Sequence, residues 1–221
     1  QPDPATLKRW LRRWVAVRHR EAAERIVLTA IAAGATSADL ADLLFTAETD
    51  RAYSNGGHSL DFINKAFECL DLIGWEHAAA VLPSVVGQMT QARGAEESTA
   101  WRQPIDLITL CRGAALELSD LFAARQGAGR WTQHAFLARK LLADEPTGML
   151  EALKAAARAG ASPADLGKSL AYAAALRVAR FGTANEHSDW ETAHHVFTYA
   201  NGLHQALKRI GGESATSGLP V

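Results

Sequence analysis

Apolar residues recur every three to four positions along almost the whole chain, and no stretch alternates with the period of two that a half-buried strand needs. The periodicity predicts helices at about 4–33, 37–53, 58–74, 76–93, 102–125, 131–143, 146–159, 163–181 and 189–210, hence an all-α protein. Gly87–Ser98 and Gly127–Gly129 read as loops, and Gly211–Val221, rich in glycine and serine, as a disordered tail or linker stub. The last helix is announced by Ser188 with Glu191 three residues on, a capping-box spacing.

The pattern also repeats. Gly34-Ala35-Thr36-Ser37-Ala38-Asp39-Leu40 returns as Gly160-Ala161-Ser162-Pro163-Ala164-Asp165-Leu166, 126 positions later. His58, Asn64, Leu70 and Ile73-Gly74 return as His195, Asn201, Leu207 and Ile210-Gly211, 137 positions later. The 11-residue difference places one insertion around Phe181–Trp190. Each seven-residue copy has the chemistry of a joint between helices: a glycine for a left-handed helix end, a hydroxyl to cap the next helix, and an aspartate three on to face its free N–H groups. The expected architecture is one all-α domain over 1–211 with pseudo-twofold symmetry, copies at about 24–74 and 148–211, and linking helices over 76–147.

Composition narrows the function classes. A net charge of −1 argues against a global field for nucleic acid. Lys8, Arg9, Arg12, Arg13, Arg18, Arg20 and Arg25 make the first helix basic and amphipathic, with Trp10, Leu11, Trp14 and Val17 expected to pack it. The minority alternative is a phosphate or membrane-surface contact. No apolar run of 18 residues offers a membrane span. Cys69 and Cys111 form no C-x-x-C pair and read as buried thiols of a reducing compartment, which places the chain in the cytoplasm. A start at Gln1 without a methionine reads as a processed or excised piece.

On a helix from His58, one stripe holds His58, Asp61, Lys65 and Glu68, widened by Asn64 and Asp71. The corresponding stripe of the second copy holds His195, Thr198, Gly202 and Gln205, widened by Asn201, His194 and Glu191. Imidazoles and carboxylates projecting from packed helices are how bundles hold iron or manganese. The expected ligands are His58 and His195, then Glu191 and His194, with Asp61 and Glu68 as carboxylate ligands or proton relay and Asn64 and Asn201 orienting them. Glu191 and His194 match a Glu-x-x-His spacing, but Ser54 and Gly57 stand at the duplicated positions. His187 and Glu186, in the insertion, are candidates for a lid or extra ligand, and His204 for a buried contact to a cofactor. His19, His134 and His77 read as surface, core or helix-start residues. The expected function is a metal-dependent, oxygenase-like oxidoreductase acting on a small, partly apolar substrate near Trp75, Trp190, Phe62 and Tyr199. The same pattern also fits a haem clamped by the paired imidazoles in an electron-transfer protein, or a non-enzymatic helical scaffold or homodimer whose polar stripes meet a partner.

Two resemblances bear on this. Gly-Ala-x-x-Ala-Asp-Leu before a helix resembles the joints of the AhpD and carboxymuconolactone decarboxylase fold, without its C-x-x-C motif. Gly57 through Glu68, continuing to Leu72-Ile73-Gly74-Trp75-Glu76-His77, resembles a helical region of bacterial Rieske [2Fe–2S] domain-containing proteins. Asn185-Glu186, Asp189-Trp190, His195, Phe197 through Asn201 and His204 through Leu207 resemble it too. That likeness implies a [2Fe–2S] electron donor feeding a metal site. The chain itself has no C-x-H and C-x-x-H ligands for such a cluster.

Overall fold

The computed structural model describes residues 2–124 and 131–211; the expected loop at Gly127–Gly129 and the expected tail beyond Gly211 lie outside them. The only regular elements among the described residues are helices, with no strand, and the chain forms two compact units that divide after Glu97. No helix is long and apolar enough to cross a membrane.

The N-terminal unit holds α1 (Pro4–Ala16), α2 (Arg20–Ala32), α3 (Ser37–Glu48), α4 (His58–Ile73), α5 (Ala78–Val81) and α6 (Pro83–Gln91). Helix α1 packs on α2 and α3, α2 on α6, and α4 on α3 and α6. Leu11, Val27, Leu44, Phe45, Ile63, Phe67, Leu82 and Met89 fill the interior, with the Phe45 and Phe67 rings 5.6 Å apart. The helix expected over 4–33 is two helices. Arg18 turns left-handed (φ 60), and the His19 ring, through Nδ1, accepts the Ala22 N–H at 3.2 Å and so caps α2. Neither glycine nor proline marks that break. The buried face of α1 is Leu7, Leu11 and Val15, while Trp10 and Val17 are exposed, so aliphatic residues and not the tryptophans anchor it.

Part of the basic charge of α1 and of the turn after it is paired inside this unit. Lys8 Nζ meets both Asp42 oxygens at 2.7 and 2.8 Å, Arg12 forks onto Asp50 at 2.7 and 2.6 Å, and Arg18 reaches Glu97 at 3.0 Å.

The C-terminal unit holds α7 (Leu107–Ala123), α8 (His134–Leu141), α9 (Pro146–Arg158), α10 (Pro163–Ala179) and α11 (His187–Ile210). Helix α10 packs along α11 and on α8, and α9 lies against α7 and α8. Its core gathers Trp131, Leu137, Ala156, Ala157, Ala161 and Leu166. Lys154 Nζ ties α9 to α7 through Glu117 at 2.8 Å. The close approach of α10 and α11 depends on Gly167, where a Cβ would stand 3.0 Å from Leu207 Cδ1 and 3.1 Å from His204 Cα. Gly167→Ala should therefore destabilise this unit by about 1–2 kcal/mol, because the second neighbour is backbone and yields only if the helices part. Thermal unfolding or exchange of α10 amides measures it.

The two joints form as the repeat predicts. Gly34 (φ 81) and Gly160 (φ 97) are left-handed, and the following residues return N–H bonds to Ala30 O (3.1 Å) and Ala156 O (2.9 Å). Thr36 with Asp39 and Ser162 with Asp165 are reciprocal capping boxes. Beyond the joint the helices differ: α3 has 12 residues and α10 has 17. Helix α11 starts earlier than its Ser188 signal suggests, at His187, with Asp189 accepting the Glu186 N–H at 3.3 Å. Both cysteines are exposed, correcting their expected burial: Cys69 and Cys111 fall on the outer faces of α4 and α7.

Candidate functional site

The end of α3 carries a carboxyl group into the interior. Leu40, Leu44 and Glu48 are four residues apart and share one helix face. Since Leu40 and Leu44 are core residues, the same face takes Glu48 inside, to 4% exposure. Ser54 Oγ–H donates to Glu48 Oε1 there. Burial pushes the Glu48 carboxyl up to about 8, against the opposing pull of the Ser54 bond and the Arg51 charge. Burial outweighs both, and the Arg51 guanidinium makes its own hydrogen bonds elsewhere. Nη1 donates to Met89 O and Ala92 O at 3.1 and 2.9 Å, and Nη2 to Val15 O and Ala16 O at 2.9 and 3.4 Å. It thus caps the C-terminal ends of α6 and α1 together. Glu48 is left protonated at neutral pH.

The turn from Glu48 to α4 is strained. Tyr53 (φ 44) and Asn55 (φ 50) are left-handed, followed by Gly56 (φ 63) and Gly57 (φ 89). Each non-glycine residue in that region costs roughly 1–3 kcal/mol and persists only where its surroundings over-determine it. Here the determinants are Ala52 N–H to Glu96 Oε2 (2.9 Å), Asn55 N–H to Arg93 O (2.8 Å) and Ala95 N–H to Ala52 O (2.6 Å). The turn delivers Ser54 to Glu48 and sets His58 as the first residue of α4, partly buried, with its ring 6.4 Å from that of Phe62. Burial also raises the Asp61 carboxyl; Lys65 and His58 pull it down and Glu68 pushes it up. Burial keeps the half-buried Tyr53 phenol protonated to higher pH than usual.

The remaining expected residues fall as follows. Asn64 is not on the polar stripe but wholly buried, because α4 packs through Leu60, Ile63, Asn64, Phe67 and Leu70, while Phe62 is exposed. Asn64 Nδ2 donates to Glu68 Oε1 and Lys65 Nζ to Glu68 Oε2, both at 2.8 Å. Asn64 Oδ1 and Ser59 Oγ are buried with no hydrogen-bond partner among the described residues. Trp75 packs edge-on against Phe67 at 5.3 Å and donates to Asp71, a structural role.

His187, His194, His195, Asn201, His204, Glu186 and Glu191 all belong to the C-terminal unit. His187 Nδ1 stands 3.9 Å from Glu191 Oε1, both well exposed. Glu186 is the N-cap position of α11, and the His194 ring lies 5.6 Å from Trp190. His195 and Asn201 are partly buried. Burial, with Lys208, Lys168 and His134 adding to it and Asp165 opposing it, lowers the His204 pKa. His134 is a packing residue: Ser169 Oγ–H donates to Asp165 O, so the 3.0 Å contact requires the proton on His134 Nδ1.

Among the described residues no three His, Cys, Asp or Glu side chains gather in a group able to hold a metal ion, and Glu68 is already engaged by an amide and an ammonium. His58 belongs to one unit and His195 to the other. Sequence reasoning missed Glu48, Arg51, Tyr53 and Ser54. The signal for Glu48 was its place in the Leu40–Leu44 stripe, and the signal for the strained turn was Tyr53-Ser54-Asn55-Gly56-Gly57 before a helix. Family models, curated proteins and solved structures yield no match to this chain, so the site rests on its own geometry.

Proposed function

We propose that the chain is an acid–base catalyst whose proton-handling groups stand at the corner between α3 and α4. Glu48 is the neutral acid, Ser54 the hydroxyl that holds it, His58 the base, and Asp61 the carboxylate that steadies the charge His58 acquires. The reaction class is proton removal from, and return to, a small and partly apolar carbon acid. The proton leaves carbon for the His58 ring, and another is delivered from Glu48 at a second position.

One observation carries this reading: a buried carboxyl pushed to about 8, fastened by a serine in a backbone turn held in left-handed strain. Strongly shifted carboxyls and over-determined strain both concentrate where chemistry is done. General acids work best with a pKa near the operating pH, and Glu48 is in that range.

The test is deuterium uptake. The protein is incubated in D2O with a panel of small ketones and keto acids, and exchange at the carbon next to the carbonyl is followed by NMR. The wild type should accelerate exchange of at least one member, with loss of about a hundredfold or more in His58→Gln and in Glu48→Gln. Equal rates for the wild type and both variants across the panel would contradict the proposal.

A further inference from the structure

Beyond that reading, the geometry points to a second binding site, in the C-terminal unit, for a small organic carboxylate with an apolar body. The last turn of α10 carries Arg177, and Arg180 is the C-cap residue that follows it. With Leu142, Phe181 and Gly182 they line a cavity of about 320 Å³, at the small end of ligand pockets.

Neither guanidinium makes an ion pair with any described residue, and carboxylates of this unit are largely committed elsewhere. Asp106 takes Arg102, Glu117 and Glu151 take Lys154, and Glu145, Asp165 and Asp189 serve helix starts. The planar fork of a guanidinium matches the oxygens of a carboxylate, and two of them line this cavity.

The apolar side of the cavity is fixed in place. Phe181 is held edge-on by Trp190 at 4.9 Å, and Gly182 is closed into a turn by Asn185, whose N–H and Nδ2 reach Gly182 O at 3.1 and 2.8 Å. These residues fall in the insertion read around Phe181–Trp190, inside the second sequence copy. The segment added to the second copy therefore builds one wall of the cavity. A flat or branched hydrocarbon against Phe181 and Leu142, with its carboxylate on the two arginines, satisfies both halves of the lining.

The experiment titrates benzoate and, separately, inorganic phosphate into the full chain, and follows the Arg177 and Arg180 Nε–H resonances by NMR. Benzoate should shift both in a saturable way. Arg177→Gln/Arg180→Gln should weaken benzoate by about tenfold or more, whereas Arg158→Gln on α9 should leave it unchanged. Phe181→Ala should weaken benzoate and leave phosphate as it was. Absence of saturable benzoate binding would overturn the proposal, and so would benzoate binding unaltered in the double arginine variant. Phosphate binding as tightly as benzoate, with Phe181→Ala affecting neither, would also overturn it, leaving only a patch that takes any anion.

Discussion

Glu48→Gln should leave the N-terminal unit about as stable as the wild type at pH 5 and make it more stable at pH 9, by on the order of 5 kcal/mol. The sign follows from the direction of the shift. The carboxyl titrates near 4.5 when unfolded and at about 8 when folded, so between those values the folded state holds a proton that the unfolded state has lost. Its stabilising contribution is complete below the unfolded value and declines by about 1.4 kcal/mol per pH unit, levelling once pH passes the folded value. Glutamine keeps an oxygen to accept from Ser54 and has no proton to lose, so its curve should be flat across the window. Hydrogen exchange of α3 and α4 amides as a function of pH reads this unit by itself. Parallel curves for the two proteins would mean that Glu48 is an ordinary, solvated carboxylate.

Arg51→Met should destabilise the same unit by roughly 4 kcal/mol, since four carbonyls at two helix ends lose a charged donor at once. It should also move the Glu48 transition to still higher pH, because the arginine's charge favours ionisation. Arg51→Lys should recover only part of the loss, as a single ammonium cannot fork to both helix ends. Urea unfolding measures the first effect, and the pH dependence of α3 exchange the second. A loss below about 1 kcal/mol would show that these carbonyls are solvated without it.

How far the sequence reveals this molecule depends on how local the chemistry is. The joints at Gly34 and Gly160 are legible because a left-handed glycine, a capping hydroxyl and an aspartate lie within six residues and need nothing distant. The break at Arg18 is not legible, since an arginine in left-handed backbone is sustained by packing α1 against α2. Helix phase alone misplaces two residues of α4. Counting Asn64 with the polar stripe and Phe62 with the core inverts both, because the core of this unit, and not polarity, sets which face turns inward.

The candidate chemistry follows the same division. The histidines were visible as residue types, yet what they face depends on tertiary placement. Glu48 escaped notice because a glutamate at the end of a helix ordinarily reads as solvated. At the corresponding place in the second copy stands Ala174, so the repeat also gives no hint of an acid there. The insertion at Phe181–Trp190 was legible as added length, but its pairing with two arginines at the end of α10 appears only in the fold.

Infrared difference spectroscopy during a pH titration tests the corner between α3 and α4 most directly. A protonated carboxyl C=O band should persist through neutral pH, disappear with a midpoint near 8, and be missing from Glu48→Gln. If every such band has vanished by about pH 5.5, in the ordinary carboxylate range, Glu48 carries no proton at neutral pH and the acid on which this account turns is absent.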